Sequence, residues 1–540
     1  MSEKALELGY VASTQPPAAS PPTSSDKAEY EPENLLTATP TPVPPPYTVF
    51  THREKIILVT IASLAAFFSP VTANIYYPAI NQLSVDLHVS TSLINLTITT
   101  YLIFQGLAPT FVGAIADSTG RRPAYIVCFT LYLAANIGLA LQNQYGTLMV
   151  LRCLQSSGSS GTVALVNAVV ADISTSNQRG KYLGFANVGA LLGPTLGPII
   201  GGILNQFLGW RSIFWFLVIL SGVVFVIVLV LLPETCREVV GNGSIPPPVW
   251  DMSLLGYLKL RKQRKNGTLS SELPKRKMKS PNLLASVQIL FTKAGGLALF
   301  YCAIIFAGFY TIAAGLPLAL QKTYNYNSLQ VGLCYIPFGF GGMISAVTAG
   351  KAVDWNFQRH ARRLNIKITK GRQSDLTQFP IELARIQVAW PLAILSICAL
   401  VIYGWVIEKT KSLAGTLILL FVLGCSTLGP TLCFSTLVVD LFPERPGSAT
   451  AANNLLRCWF GAGFVAAVGP LVDVIGFGWF YTLIAGIWAL GTPIMWILCK
   501  FGPRWREEKR VKMKIEMQRK AERVERDIEN ADLGDGAGEE

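Results

Sequence analysis

Apolar side chains gather in this chain into long blocks nearly free of Asp, Glu, Lys and Arg, instead of alternating with polar ones every two to four residues. A hydrocarbon layer about 30 Å thick takes roughly 20 apolar residues to cross as a helix. Twelve blocks reach or approach that length: 56–79, 93–115, 124–141, 148–171, 182–208, 213–232, 295–320, 329–353, 388–407, 414–437, 449–472 and 477–499. They fall into two sets of six, within 51–232 and 295–499, separated by a polar stretch at 233–294. The pattern predicts an all-α membrane protein with twelve transmembrane helices, whose solvent is the lipid bilayer.

The two sets carry one pattern twice. VVADISTSNQRG after the fourth block, then GPTLGP, then LGWRSIFW, answer to LVVDLFPERPG after the tenth, then VGP, then FGWFY. Asp172 matches Asp440, Gly197-Pro198 matches Gly469-Pro470, and Gly209-Trp210 matches Gly478-Trp479, at separations of 268, 272 and 269 residues. Gly113 and Asp117 answer to Gly350 and Asp354 at an offset of 237, which implies a longer polar connection after the eighth block than after the second. Two pseudo-symmetric six-helix halves are therefore expected, of the kind that rock around a central site.

Composition agrees: 51% of residues are hydrophobic and 14% charged, against about 25% charged in soluble domains. A net charge of +13 would suit nucleic acid, but the placement of the charge points elsewhere. Arg121, Arg122, Arg179, Lys181, the stretch from Arg237 to Lys293 and the stretch from Lys351 to Arg385 all fall on one side of a twelve-span topology, and only Arg211, Lys322, Lys409 and Lys411 on the other. Because Lys and Arg are retained inside, both termini are predicted to be cytoplasmic. Residues 1–50, rich in Pro, Ser and Thr and without an apolar core, read as a disordered tail, and 500–540 as a charged tail, basic then acidic. The ten cysteines lie mostly inside apolar blocks with no CxxC pair, against a zinc site or a disulfide framework.

Between the second and third blocks stands GAIADSTGRRP, 113–123, which places Gly113 on a helix face, Asp117 near its end, Gly120 in a tight turn, and Arg121 and Arg122 beyond it. A small residue lets a neighbouring helix approach, and a carboxylate there can pair with Arg121 or meet the positive end of a helix. The fifth block reads GALLGPTLGPIIGG, in which Gly189, Gly193, Gly197 and Gly201 recur every four residues beside Gly202, with Pro194 and Pro198 expected to bend the helix.

These two segments resemble the loop signature and the antiporter motif of twelve-span drug:proton antiporters of the major facilitator superfamily. SPVTANIYYPAI, TITTYLIFQGLAPT, LPETCRE, GLCYIPFGFG and SATAANNLLRCWFGAG are similar to fungal members of the quinidine-resistance type and to fungal citrate exporters. The resemblance implies the major facilitator fold, with 113–122 as a conformational switch and a role in proton transfer or substrate coupling for the arginine of the fourth helix, here Arg152.

Only two ionisable groups lie well inside a block: Arg152, with Gln155 one turn on, and Arg457, with Asn453 and Asn454 one turn before. An intramembrane charge is a functional candidate by default. No Asp or Glu stands at mid-depth, so proton exchange, which the resemblance implies, would use Asp117, Asp172 or Asp440 at helix ends, or a proton on the substrate. Asn74, Tyr76, Tyr101, Gln105, Tyr310 and Tyr335 are the polar and aromatic candidates for lining a central cavity. The reading is a monomeric secondary carrier of small molecules in the plasma membrane, not an enzyme, with no cofactor and no metal. It would export amphipathic drugs, toxins or metabolites by alternating access in exchange for protons; the alternative is a dedicated exporter of an organic acid or secondary metabolite, coupled or uniport. An ATP-driven pump would need a GxxxxGK[ST] loop, which the chain lacks.

Overall fold

A computed structural model describes residues 48–186, 188–265, 284–364, 379–442 and 446–535, and every regular element among them is helical. The first half runs α1 (His52–Ile75), α2 (Ile80–Asp86), α3 (Thr91–Thr119), α4 (Arg121–Leu141), α5 (Tyr145–Ile173), α6 (Ser176–Ala186), α7 (Val188–Leu208) and α8 (Arg211–Leu231). The connecting stretch holds α9 (Arg237–Val240), α10 (Leu254–Lys265) and α11 (Leu284–Leu290). The second half runs α12 (Lys293–Tyr324), α13 (Ser328–Arg363), α14 (Ile381–Trp405), α15 (Leu413–Leu441), α16 (Pro446–Gly491) and α17 (Pro493–Asp535). Of the expected N-terminal tail, residues 1–47 lie outside the described residues, and Val49 N–H donates to the Asn242 carbonyl at 3.0 Å.

Local signals explain where helices begin and turn. Thr51 and Glu54 cap α1 reciprocally, Glu54 N–H donating to Thr51 Oγ1 and Thr51 N–H to Glu54 Oε2, and Asn327 with Gln330 does the same for α13. Gly209 turns the chain between α7 and α8 at φ 76°, and Gly476 breaks α16 at φ 75°. The break divides α16 into the eleventh span and the start of the twelfth. Conformation therefore pairs Gly209 with Gly476, two residues before the letter-matched Gly478, because only glycine enters that left-handed turn freely.

Nine stretches among the described residues are long and apolar enough to cross a membrane, and the longest, Gly447–Lys512, contains two of the expected spans. The two remaining helices of the expected twelve are α5 and α7, and in α5 apolarity is diluted by small polar residues. In α5 the run QSSGSSGT, 155–162, packs closely: Ser156 Oγ donates to the Tyr101 carbonyl at 2.6 Å, and Gly158 leaves room for the backbone and side chain of Tyr132. Bulk is given up for contact between helices, the usual exchange in a solvent as apolar as Leu. The outer faces remain apolar: Phe111, Val127, Ile219, Val223, Ile418 and Leu490 are all exposed.

Within the first half α5 packs on α1, α3 and α4, α7 on α1, and α8 on α4; within the second α15 packs on α12, α13 and α14, and α16 on α12. The halves meet along two seams, α3 with α16 and α7 with α13. Exchanging the halves turns one seam into the other, since α3 and α13 are the second helix of each repeat and α7 and α16 the fifth. The fold thus repeats the symmetry of the sequence.

Both seams close from one face to mid-depth. At the closed end Asn205 Nδ2 donates to Ser328 Oγ at 2.7 Å, Gly202 lies against Ser328 and Gly332, and Gly469 lies against Ser92. Tyr77, in the short helical turn after α1, stacks on Tyr335 of α13 with ring centroids 6.1 Å apart and an interplanar angle of 7°. Near mid-depth Gly339 meets Thr195, and Gly106 meets Leu455 and Cys458. One helical stretch further along α3, Gly113 has no described atom within 4 Å of where a Cβ would sit, and Asp117 is exposed. The seams are shut on the face away from Arg121 and Arg385, and towards the face that carries them α3 is open at Gly113.

Candidate functional site: charge clusters and buried arginines

On the basic face α3 stops at Gly120 and α4 starts at once, at φ 121°. The first N–H groups of α4 have no carbonyl behind them, and Glu234 supplies the acceptor. Its carboxylate takes the N–H of Arg121 at 2.9 Å and of Arg122 at 3.0 Å, and also those of Thr235 and Cys236. A Cβ on residue 120 would stand 2.5 Å from Glu234 Oε2, so the glycine answers both to the turn and to the carboxylate. Burial pushes the Cys236 thiol up, so it stays protonated beside this acid.

Arg121 is the centre of an ion triad: its Nη1 binds the Asp117 carboxylate and its Nε donates to Asp172 Oδ2 at 2.8 Å. Arg122 turns away, donating from Nη2 to the Leu229 carbonyl at 3.2 Å and lying 4.0 Å from the fully buried Asp251. The second half repeats the triad with Arg385, whose Nε donates to Asp440 Oδ2 at 2.9 Å and whose Nη1 lies 3.8 Å from Asp354. Of the switch residues read from the sequence, Asp117 and Arg121 are joined directly and Arg122 is held by Glu234; Gly113 faces open space. Among the described residues the contacts of the Arg121 triad lie within the first half and the stretch that follows it, so in this state the cluster does not bridge the two halves.

Glu234 is testable by itself. Glu234→Gln keeps the shape but turns one acceptor into a donor facing a backbone N–H. It should cost about 1–3 kcal/mol, measured as a lowered unfolding temperature of the detergent-solubilised protein; Glu238→Gln, in the same stretch, is the comparison.

Further in, Arg152 is 1% exposed. Its guanidinium lies over the Tyr76 ring at 4.2 Å and the Tyr101 ring at 4.3 Å, and Nη1 donates to Gln155 Oε1 at 2.6 Å. Gln155 in turn donates to Asn136 Oδ1 at 2.7 Å. Tyr76 bonds Thr97, and Tyr101 bonds Ser159 and the Ser69 carbonyl. Arg152 Nε and Nη2 have no hydrogen-bond partner among the described residues.

Arg457 is half-buried, its guanidinium 4.3 Å from the Phe306 ring, and Nη2 donates to Asn454 Oδ1 at 2.7 Å. Asn454 Nδ2 crosses the seam to the Gln105 carbonyl at 2.9 Å, while Tyr310 OH reaches Gln105 Oε1 at 3.4 Å. Gln105 Nε2 donates to Ser69 Oγ at 3.3 Å, so one hydrogen-bonded chain runs from Arg457 to the Tyr101 that covers Arg152. Asn453 points elsewhere, to Ser435 at 2.6 Å in its own half. Among the described residues neither arginine has a carboxylate partner. Attractive rings and amide oxygens lower the desolvation cost of such a cation without neutralising it.

The other candidates separate by position. Asn74 Nδ2 bonds the Pro70 carbonyl and lies against Gly197. The glycine stripe of α7 is a packing face within its half: Gly189 meets Ser63 and Phe67, Gly193 meets Pro70, and Gly197 and Gly201 meet 71–75 of α1. Only Gly202 turns to the other half. Tyr335 stands in the closed end of the seam, away from the arginines. Sequence reading missed Tyr77, Phe306, Glu234 and Arg385; of these, Glu234 was visible as a carboxylate ending the sixth block.

Comparison with known proteins agrees with this architecture. The sequence model of the Major Facilitator Superfamily matches residues 62–466. The MFS-type transporter phiD of Fungal sp. is 46% identical over 482 residues, 89% of this chain and 73% of the relative. Citrate exporter 1 of Aspergillus niger is 36% identical over 500 residues, 91% of this chain and 94% of the relative. Among solved structures, the xylose transporter XylE from E. coli, in a partially occluded inward-open conformation, covers 82% of this chain and 97% of its own at 14% identity and a TM-score of 0.56, which supports the fold. Two six-helix halves, a repeated ion triad and a family match over most of the spans lead to one assignment: the chain belongs to the major facilitator superfamily and is a membrane transporter.

Proposed function

We propose that this transporter exports small amphipathic anions, organic acids or carboxylate-bearing metabolites, by alternating access between its two seams. The observation that carries the reading is Arg457 on the α3–α16 seam and Arg152, inside the first half, joined to it through Gln105, Ser69 and Tyr101, both held among aromatic rings with no carboxylate partner among the described residues. A permanent cation in a low-dielectric setting favours an anion and repels an organic cation, and the rings beside it suit an apolar body. The citrate exporter among the relatives is consistent with that substrate class. By the positive-inside rule the face of Arg121 and Arg385 is cytoplasmic, so the opening at Gly113 would accept substrate from the cytoplasm. Placement in the plasma membrane, where an exporter would act, is part of the same proposal. Exchange for protons is the coupling that fits the α7 motif; with no mid-depth carboxylate, the proton would travel on the substrate or on Asp117, Asp172 or Asp440.

The test is flux from proteoliposomes containing the full chain, with labelled citrate, labelled benzoate and a labelled phosphonium cation. Anion flux should exceed cation flux, and Arg457→Gln should reduce it about 10-fold to 100-fold, the loss of one charge-assisted contact. Cation flux alone, or equal anion flux in Arg457→Gln, would sink the proposal.

A further inference from the structure

Two of the carbonyls along the seams are free because of proline. Pro109 in α3 has no N–H, so the carbonyl of Gln105, four residues back, receives no helical hydrogen bond. A carbonyl left bare at mid-depth is costly, because neither lipid nor packed side chains satisfy it. It is satisfied from the other half of the molecule, by Asn454 Nδ2 at 2.9 Å. Gly106, the next residue, permits the approach: a Cβ there would stand 3.1 Å from Cys458 Cβ and 3.2 Å from the Leu455 carbonyl. At the closed end a proline also frees a carbonyl, there satisfied from within the same half. Pro317 in α12 frees the carbonyl of Ala313, which accepts from Tyr335 OH at 2.5 Å, and the Tyr335 ring stacks across the seam on Tyr77.

Asn454 uses both ends of its amide. Nδ2 is committed to the opposite half, and Oδ1 receives Arg457 Nη2 at 2.7 Å. We propose that Pro109 and Asn454 form a lock across the α3–α16 seam that also aims Arg457, so that the direction of the guanidinium depends on whether the seam is shut. Asn454 is a positioning residue, and Pro109 acts through it by keeping the Gln105 carbonyl available. When α16 moves against α3 to open the far face, Nδ2 leaves Gln105, the amide is free to rotate, and Arg457 loses the acceptor that fixed it. An anion held on Arg457 with the far face shut is then released on the far face. The aiming role rests on the anion reading above; the lock does not.

Hydrogen exchange of the full chain in lipid nanodiscs tests the lock without any substrate. In Asn454→Ala, and separately in Pro109→Ala, where the restored N–H competes for Gln105, amides in 91–100 and 462–472 should exchange about fivefold faster, as expected for one lost hydrogen bond. The double variant should be no faster than the faster single, because both changes break one bond. Asn453→Ala, which loses only a bond inside its own half, should leave these segments unchanged and serves as the reference if Pro109→Ala does not fold. Additive effects of Pro109→Ala and Asn454→Ala, or an Asn454→Ala no different from Asn453→Ala, would overturn the lock. In citrate flux, Asn454→Ala should raise KM at least threefold and Arg457→Gln should mask that change. Altered exchange with no citrate flux in the unmodified protein would count against the anion reading and leave the lock standing. Citrate flux with an unchanged KM in Asn454→Ala would overturn the aiming role.

Discussion

Arg121→Met should cost about 3–5 kcal/mol of stability, because it leaves the Asp172 carboxylate buried with its charge partner removed. The Arg121 and Asp172 side chains are 10% and 9% exposed, too little for water to take over the solvation of the acid that remains. Asp117, exposed on the same side, loses its partner at little expense. The measurement is the unfolding midpoint in detergent, with the amount of protein reaching the membrane as a second reading. The double variant Arg121→Met with Asp172→Leu should regain most of the loss, since removing both charges leaves no orphan. Its transport should nevertheless stay low, because the triad that tied α3, α4 and α5 at the basic face is gone. A double variant as unstable as the single would mean that the ion pair is not the origin of the loss.

Gly201→Val should prevent the protein from accumulating. The new Cβ would overlap the Ile75 carbonyl, and the neighbours on both sides are backbone, which cannot rotate aside as a side chain would. Gly193 is similar: a Cβ there would stand 2.5 Å from Pro70 Cβ. Overpacking of an ordinary core costs about 1–3 kcal/mol; where two helix backbones must part, the cost belongs at or above that range. Gly184→Ala gives the contrast, since a Cβ there meets nothing within 4 Å and alanine favours a helix. Membrane-fraction immunoblots of the two variants suffice, and normal accumulation of Gly201→Val would contradict the α1–α7 contact.

The sequence carried the spans, the halves and one ion pair of the triad, each for a physical reason that acts locally. Apolar length marks a helix in lipid, and Asp117 with Arg121 stand one turn apart, so their pairing follows from spacing alone. Arg385 performs the same task from 31 residues beyond Asp354, across a long connection, and no spacing rule points to it. The repeat led to Asp440 and Asp354 but not to the arginine, because the motif is continuous in one half and divided in the other. Averaged hydropathy alone passes over α5, which the long block at 148–171 marks, since its serines and glycines serve packing that hydropathy scores as polarity. The α7 prolines drew notice by lying in a glycine run. Pro109 did not, and its consequence depends on a partner 345 residues away in sequence. The identity of Glu234 as the acceptor for α4 is tertiary in the same sense: its own segment shows a carboxylate after the sixth span, not the backbone groups it meets.

The twelfth span does not end at the bilayer. α17 passes from Pro493 through the basic segment to Asp535 as one helix, and Arg506 fastens its first charged turns to the second half by donating to the Phe379 carbonyl at 2.7 Å. Beyond Lys500 the helix is a rod of about 50 Å at 1.5 Å per residue. A rigid tilt of the second half of only about 10° would carry the tip of such a rod sideways by roughly 9 Å. The charged tail is thus a lever by geometry: a rotation too small to see at the seam becomes, at its tip, a displacement large enough for an attached label to register.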